Sequence, residues 1–270
     1  MLLYELVEKC NYRNGGEGVH EQCEDCTYGK FCPHDCKVCL EYIHYPQRAP
    51  YVKKYDCAHM ADNYYCKYSY RYASEIVYGI EQFADIRDID NLKVMSVGCG
   101  PCTELAAIDY LRQKRVLNYS TLEFRGIDPL KRVWKRIWKD IQEYFGAGIR
   151  FFNCNVLELV DIIVKHNWVP DLIIFQYVFS DMYKNSTQEE IEEFIEKLAG
   201  FLNEQTQKTI YILVNDTNLS MKFKGGREFF DTLNEKINSP KIFRRKHFEN
   251  TNKERHYEYG EEYRSNELNF

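Results

Sequence analysis

From residue 93 onward the chain alternates short apolar runs with amphipathic segments, and this alternation limits the possible folds more than any other feature. Strands are predicted at Lys93–Val97, Leu122–Ile127, Ile149–Asn153, Asp171–Tyr177 and Thr209–Val214. Each is a short apolar run of the kind that is buried on both faces of a sheet. Helices are predicted between them, from about Thr103, over Leu130–Tyr144, Val156–His166 and Gln188–Leu202, and again at Gly226–Ile237. In the Gln188–Leu202 segment, Ile191, Phe194, Ile195, Leu198, Phe201 and Leu202 form an apolar stripe, while Glu189, Glu190, Glu192, Glu193 and Glu196 face water. Strands separated by helices imply a parallel sheet, because a parallel pair needs a long crossover. Lys241–Phe248 and Arg255–Arg264 could add a terminal antiparallel pair.

The segment VMSVGCGPCTEL places Gly98 and Gly100 between a strand ending at Val97 and a helix starting near Thr103. Glycines at such a turn let the main chain approach a ligand without interference from Cβ, and the new helix presents unpaired N–H groups at its start. A dinucleotide fingerprint would require glycine where Thr103 stands, which disfavours a nicotinamide or flavin cofactor. A phosphate loop would require G-K-[ST], which the segment lacks. At the end of the second strand, in FRGIDPL, stands Asp128, suited to cap the helix that follows.

Val97-Gly98-Cys99-Gly100-Pro101, followed by Asp128, resembles the opening motifs of the class I (Rossmann-like) S-adenosylmethionine-dependent methyltransferases over about residues 90–215. The resemblance implies an α/β fold: a seven-stranded, mostly parallel sheet with helices on both faces, closed by an antiparallel hairpin. It implies S-adenosylmethionine as cofactor, held by Gly98, Cys99, Gly100, Pro101, Asp128, Pro129, Asn153, Asn155 and Gln176, with Asp128 on the ribose hydroxyls and Asn153 to Asn155 near the adenine. Gln176, Tyr177 and Asp181, at and after the fourth strand, become the candidate catalytic residues. No base is required where the acceptor is already nucleophilic, since positioning and desolvation then suffice. Ser96 and Cys102 depart from the family pattern, standing where an acidic residue and a third glycine are common. No Asn-Pro-Pro-Tyr or Asp-Pro-Pro-Tyr follows the fourth strand, so methylation of exocyclic base amines is not the favoured class.

Of the chain's 11 cysteines, Cys10, Cys23, Cys26, Cys32, Cys36, Cys39, Cys57 and Cys66 precede residue 70. Without a secretion signal, metal ligation explains such a cluster better than disulfides do. Cys23-x2-Cys26 and Cys36-x2-Cys39 can close a tetrahedral zinc site. Cys10, Cys32, Cys57 and Cys66 suffice for a second set, in which His20, His34, His44 or His59 could replace a thiolate. Cys32-x3-Cys36-x2-Cys39 also has the spacing of the radical S-adenosylmethionine motif, so an iron–sulfur cluster is an alternative. The expected organisation is a cysteine-rich, loop-rich metal-binding module with a connecting helix over residues 1–90, then a catalytic domain over residues 91–270. The connecting helix, within Asn63–Ile86, carries Tyr65, Tyr68, Tyr72, Ile76, Ile80 and Phe83 at helical spacing.

A net charge of −5 provides no global positive field toward nucleic acid. Lys131 to Lys139, with Trp134 and Trp138, reads either as an outer helix with its aromatics packed inward or as a phosphate-tracking face. No leader pattern and no apolar run of roughly 18 residues is seen, so a cytoplasmic protein without a membrane span is expected. The acceptor stays open among small molecule, protein and RNA, with a lean toward a macromolecule. A scaffold that keeps the cofactor fold without turnover, recruiting partners through its zinc module, is the competing reading.

Overall fold

The computed structural model describes residues 1–15, 36–44, 55–216 and 227–238. Among these residues the sheet has five strands, β1 (Asn91–Val97), β2 (Thr121–Ile127), β3 (Ile149–Phe152), β4 (Leu172–Gln176) and β5 (Tyr211–Asn215), in the order β3-β2-β1-β4-β5. All four pairings are parallel. The helices are α1 (Leu2–Gly15), α2 (Cys36–His44), α3 (Ala58–Ile80), α4 (Thr103–Gln113) and α5 (Lys131–Phe145), then α6 (Leu159–Lys165), α7 (Phe179–Asn185), α8 (Gln188–Glu204) and α9 (Arg227–Lys236).

The pleat sorts the core into two layers. Leu92, Val94, Phe124, Ile149, Leu172 and Ile174 point to the face covered by α1, α3, α4 and α5. Met95, Val97, Ile127, Ile173 and Phe175 point to the face covered by α6 to α9. Successive residues of a strand take opposite faces, so runs such as Leu92–Val97 must be apolar almost throughout. On α5, Val133, Trp134, Ile137, Trp138 and Ile141 are buried at helical spacing. Lys131, Arg132, Lys135 and Lys139 lie on its exposed side, making it an outer helix with its tryptophans packed inward. Thr187 and Glu190 start α8 with a capping box, each side chain satisfying the other residue's N–H.

Before residue 90 the structure departs from expectation. The segment is not merely loop-rich: Leu2, Leu3, Leu6, Val7 and Cys10 are buried along α1, a helical spacing overlooked beside the cysteines. The connecting helix begins earlier than expected, at Ala58, and ends at Ile80, before a 3-10 turn at Ala84–Asp88. One continuous apolar cluster runs from Leu2 through Tyr65 and Ile76 to Val94 and Ile174, so α1 and α3 share a core with the sheet, with no break at residue 90. Arg13 strengthens the junction. Its guanidinium donates to Asp62 on α3 at 2.7 and 3.0 Å and to Asp140 on α5 at 2.7 Å. The N–H of Leu2 donates to the Asp109 carboxylate on α4 at 2.9 Å, an anion at the start of a helix.

The sheet has five strands among the described residues; the antiparallel pair expected at 241–264 lies outside them. Among the described residues no helix is long and apolar enough to cross a membrane. Because α1 shares the main core, Leu6→Ala should cost about 2–5 kcal/mol and lower a single thermal transition of the whole chain. Calorimetry showing two transitions, with only a minor one shifted, would contradict the shared core.

Candidate functional site

The strand order reverses between β1 and β4, and in open parallel sheets the crevice beyond the carboxyl ends of such strands receives ligands. The predicted cofactor residues gather along this edge. After β1 the chain turns through Gly98 at φ 60° and Gly100 at φ 48°, both left-handed. A Cβ at position 98 would stand 2.9 Å from Cγ2 of Val178, so any other residue would force Val178 aside as well as strain the backbone. Cys99 turns its side chain inward: a Cβ on Gly126 of β2 would lie 2.8 Å from its Sγ. Cys102, the residue before α4, takes φ 61°, a glycine-like conformation adopted by a non-glycine residue. No side-chain cap hydrogen bond closes the start of α4.

Asp128 joins the β1 turn to the end of β2. One carboxylate oxygen accepts from the N–H of Gly100 at 2.9 Å, and the other from the N–H of Leu130 at 2.8 Å. Trp138 holds the other side of the turn, its indole N–H donating to the carbonyl of Gly100 at 2.8 Å while its ring stacks on Phe151. Burial pushes the Asp128 carboxyl up to about 6, against the lowering effect of the Leu130 and Gly100 amides and the Trp134 indole. That indole N–H is buried and has no hydrogen-bond partner of good geometry. Pro101 is buried behind the turn, whereas Pro129 is exposed. Beyond β3, Asn153 accepts from the N–H of Lys131 at 3.3 Å. Asn155 is committed to a capping box on the 3-10 turn Val156–Glu158.

On the β4 side, Gln176 accepts from the Thr103 hydroxyl at 3.2 Å and donates to the carbonyl of Tyr72 at 3.0 Å, tying β4 to α4 and α3. Tyr177 has φ 58°, uncommon for a bulky residue and a mark of local strain. Its hydroxyl lies 3.1 Å from both carboxylate oxygens of Glu75 and accepts from Arg71 at 3.2 Å. Burial, then the charge of Glu75, raises the Tyr177 phenol above its usual range, so at neutral pH it remains a protonated donor. Asn215 also donates to Glu75, at 2.8 Å. Tyr64, Tyr68 and Tyr72 on α3 continue this wall, with Tyr72 5.0 Å from Tyr177 and Tyr64 5.7 Å from Trp134 between ring centroids. Asp181 lies in the first turn of α7, and partial burial of its carboxyl raises it above the ordinary carboxylate range against the lowering effect of Lys184.

Sequence reasoning missed Glu75, Arg71, Asn215 and Glu104. The two glutamates had a visible signal: each is a charge within the apolar pattern of a helix. Glu104 is 2% exposed, and one of its oxygens accepts from the Ser96 hydroxyl at 2.9 Å. Burial lifts its carboxyl to about 7 despite its own backbone N–H and the Ser96 bond.

For the proposed thiolate sites, Cys23, Cys26 and Cys32 lie outside the described residues, as does the side chain of Cys36. Cys39 is buried beside Leu40 and Met60. The second set does not close on one ion. Cys57 precedes α3 and Cys66 lies within it, a rise of about 13 Å, while Cys10 and Cys66 are buried together in the α1–α3 core. Among the described residues no group of three or more potential ligands gathers.

The raised Glu104 carboxyl makes a sign-definite prediction. The folded chain binds the proton more tightly than the unfolded chain, so stability falls as pH rises from about 4.5 to about 7. Glu104→Gln should reduce that slope and stabilise the unliganded protein at pH 8 by roughly 1–3 kcal/mol. Denaturant melts of both proteins at pH 5 and pH 8 measure the difference.

No protein-family model and no curated protein sequence matches the chain. Similar solved structures include a protein of Methanococcus maripaludis assigned as an S-adenosyl-L-methionine-dependent methyltransferase. It is 14% identical, with 69% of this chain and 73% of that chain covered and a TM-score of 0.36. The plantazolicin methyltransferase BpumL in complex with SAH is 12% identical, with 86% of this chain and 72% of that one covered and a TM-score of 0.37. BpumL bound to a pentazolic desmethylPZN analog and SAH is 13% identical over 86% and 70%, with a TM-score of 0.35.

Proposed function

We propose that this chain is an S-adenosylmethionine-dependent methyltransferase. One observation carries the reading: the left-handed Gly98–Gly100 turn lies where the strand order reverses, and the Asp128 carboxylate of the neighbouring strand is bonded to it at 2.9 Å. The residues present fit an adenosyl amino acid. Each Asp128 oxygen accepts one backbone N–H and retains a lone pair for a sugar hydroxyl. The start of α4, without a side-chain cap, offers N–H groups to a carboxylate. Trp134 adds a buried N–H beside Asp128 that makes no well-aligned hydrogen bond. Gly98, Cys99, Gly100 and Pro101 would supply backbone, and Asp128, Pro129, Asn153, Asn155 and Gln176 would flank the nucleoside.

When bound, the cofactor supplies an electrophilic methyl group on a sulfonium. The chain's own part is positioning and exclusion of water. Tyr64, Tyr68, Tyr72 and Tyr177 form an apolar wall beside the turn, and the Glu75 network with Arg71 and Asn215 holds that wall to β4 and β5. Tyr177, kept protonated with its O–H directed at Glu75, does not serve as a base. Asp181, exposed at the rim, is the carboxylate placed to take a proton. Gln176 orients the neighbouring backbone. We take the acceptor to be macromolecular, RNA or protein, by analogy with enzymes in which an appended module recognises a large substrate.

For the cysteines, the proposal is one zinc ion on Cys23, Cys26, Cys36 and Cys39. Cys36 and Cys39 are three residues apart in the sequence, the spacing of a zinc knuckle. Purified full-length protein should then be colourless and carry about one zinc per chain by elemental analysis, and Cys26→Ser should release it. Iron with visible absorbance in its place would favour the cluster alternative.

Asp128→Ala removes charged acceptors worth roughly 1.5–3 kcal/mol per hydrogen bond. Titration calorimetry on the folded variant should show S-adenosylmethionine affinity reduced by roughly a hundredfold. Affinity equal to that of the parent chain would end the methyltransferase reading.

A further inference from the structure

We infer that Arg125 and Arg150 together bind a terminal phosphate group of a small molecule at the β3 edge of the sheet. The two arginines stand opposite each other in the parallel register of β2 and β3. Alternation along the strands puts them on the sheet face that also carries Ile127 and Phe152. Among the described residues β3 is the outermost strand on its side, and Arg150 is exposed there, so an anion reaches the pair from solvent. Arg125 lies three residues before Asp128, a rise of about 10 Å along β2. The place is therefore separate from the turn after β1.

Arg125 is 8% exposed, and its Nη1 is buried without a hydrogen-bond partner. Its guanidinium lies over the Trp168 ring at 4.2 Å from the centroid and over Phe152 at 6.0 Å. Stacking occupies the face of the group, whereas its N–H donors all lie in its plane and point past the rings. Glu123, two residues earlier on the same face, favours the charged form of Arg125 from nearby. Yet its oxygens are taken, one by the Trp168 indole at 2.8 Å and the other by Asn91 at 3.4 Å. The stronger neighbour is a like charge: burial, then Arg150, weakens the hold of Arg125 on its proton. An arginine keeps that proton at neutral pH, so the positive charge stays. Elsewhere guanidinium groups drawn into the fold meet carboxylates, Arg13 at Asp62 and Asp140, and Arg71 at Glu75. Two adjacent guanidinium groups, one of them buried with an unused donor, call for an anion from outside the chain.

Two neighbouring forks select the anion. A single guanidinium saturates the two oxygens of a carboxylate in a bidentate pair, while a terminal phosphate has a third unesterified oxygen, and a second negative charge, for the other fork. Lys165, exposed in the last turn of α6, adds positive charge on this side, with the His166 ring 5.5 Å from Phe152. The net charge of −5 supplies no wider field to hold a long polyanion, which favours a small phosphate compound over a nucleic-acid backbone.

The test uses the full chain, with inorganic phosphate as the probe. Thermal unfolding is compared in sodium phosphate and in sodium chloride at equal ionic strength for the parent, for Arg125→Met, which keeps an apolar stem over Trp168, and for Arg150→Gln. The parent should unfold several degrees later in phosphate, and both variants should lose most of that shift. Titration calorimetry should show phosphate affinity reduced roughly tenfold or more in each variant. Should Arg125→Met not fold, Arg150→Gln, a change at an exposed position, carries the same comparison. An equal response of parent and variants, or no response of the parent, would overturn the site. A short single-stranded RNA without terminal phosphates is the second probe, and its affinity should be the same for parent and Arg150→Gln. Loss of that affinity in the variant, without any effect of phosphate, would give the pair to a diester backbone and overturn the small-molecule assignment. None of these outcomes bears on the adenosyl-ligand reading, which is tested at Asp128.

Discussion

The hydrogen bond from the Gly100 N–H to the Asp128 carboxylate is the interaction on which the rest of the site depends. It spans two neighbouring strands, so the position of the β1 turn is set by the end of β2. The bond is possible because Gly98 and Gly100 take left-handed conformations that aim the amide sideways. Val178 at one side and Trp138 at the other leave the turn little freedom to relax. The price is a buried carboxyl held near 6, with a second near 7 a few residues away on α4. Groups perturbed by burial in this way, gathered at one crevice, are characteristic of binding sites.

The same crevice ties α1 and α3 to the sheet. Glu75 and Tyr72 reach β4 from α3, and Asn215 meets Glu75 from β5, so α3 lies across the point where the strand order reverses. Arg13 then fixes α1 to α3 and α5 through Asp62 and Asp140. Residues before the first strand therefore wall the site directly. Their apolar surface merges with the sheet's core, which makes independent folding of α1 and α3 unfavourable.

Some of this was legible in the residues. The five strands and most helices follow from apolar runs and 3.6-residue stripes, since burial on two faces and burial on one leave different periodicities. The turn and Asp128 were visible because glycine and a strand-end acid have few substitutes there. The helix α1 was legible and overlooked, its stripe of Leu2, Leu3, Leu6 and Val7 lying beside a cysteine cluster that drew a loop-rich reading. Ser96 read as a departure because the residue alone does not reveal its partner: the carboxylate comes from Glu104, eight residues later, across a strand-to-helix turn. A second thiolate set looked feasible on arithmetic, yet Cys57 and Cys66 sit too far apart along α3 to share an ion.

By itself the sequence determined the alternation of strands and helices, the left-handed turn after β1, and an acid at the end of β2, because each is set by local stereochemistry or by the pattern of burial along the chain. Only the tertiary structure decided the strand order, the placing of α3 over the crevice, the Glu75–Tyr177–Asn215 network and the half-satisfied Glu104. Those depend on which surfaces meet, and contacts between residues a hundred positions apart leave no periodic mark in the chain that makes them.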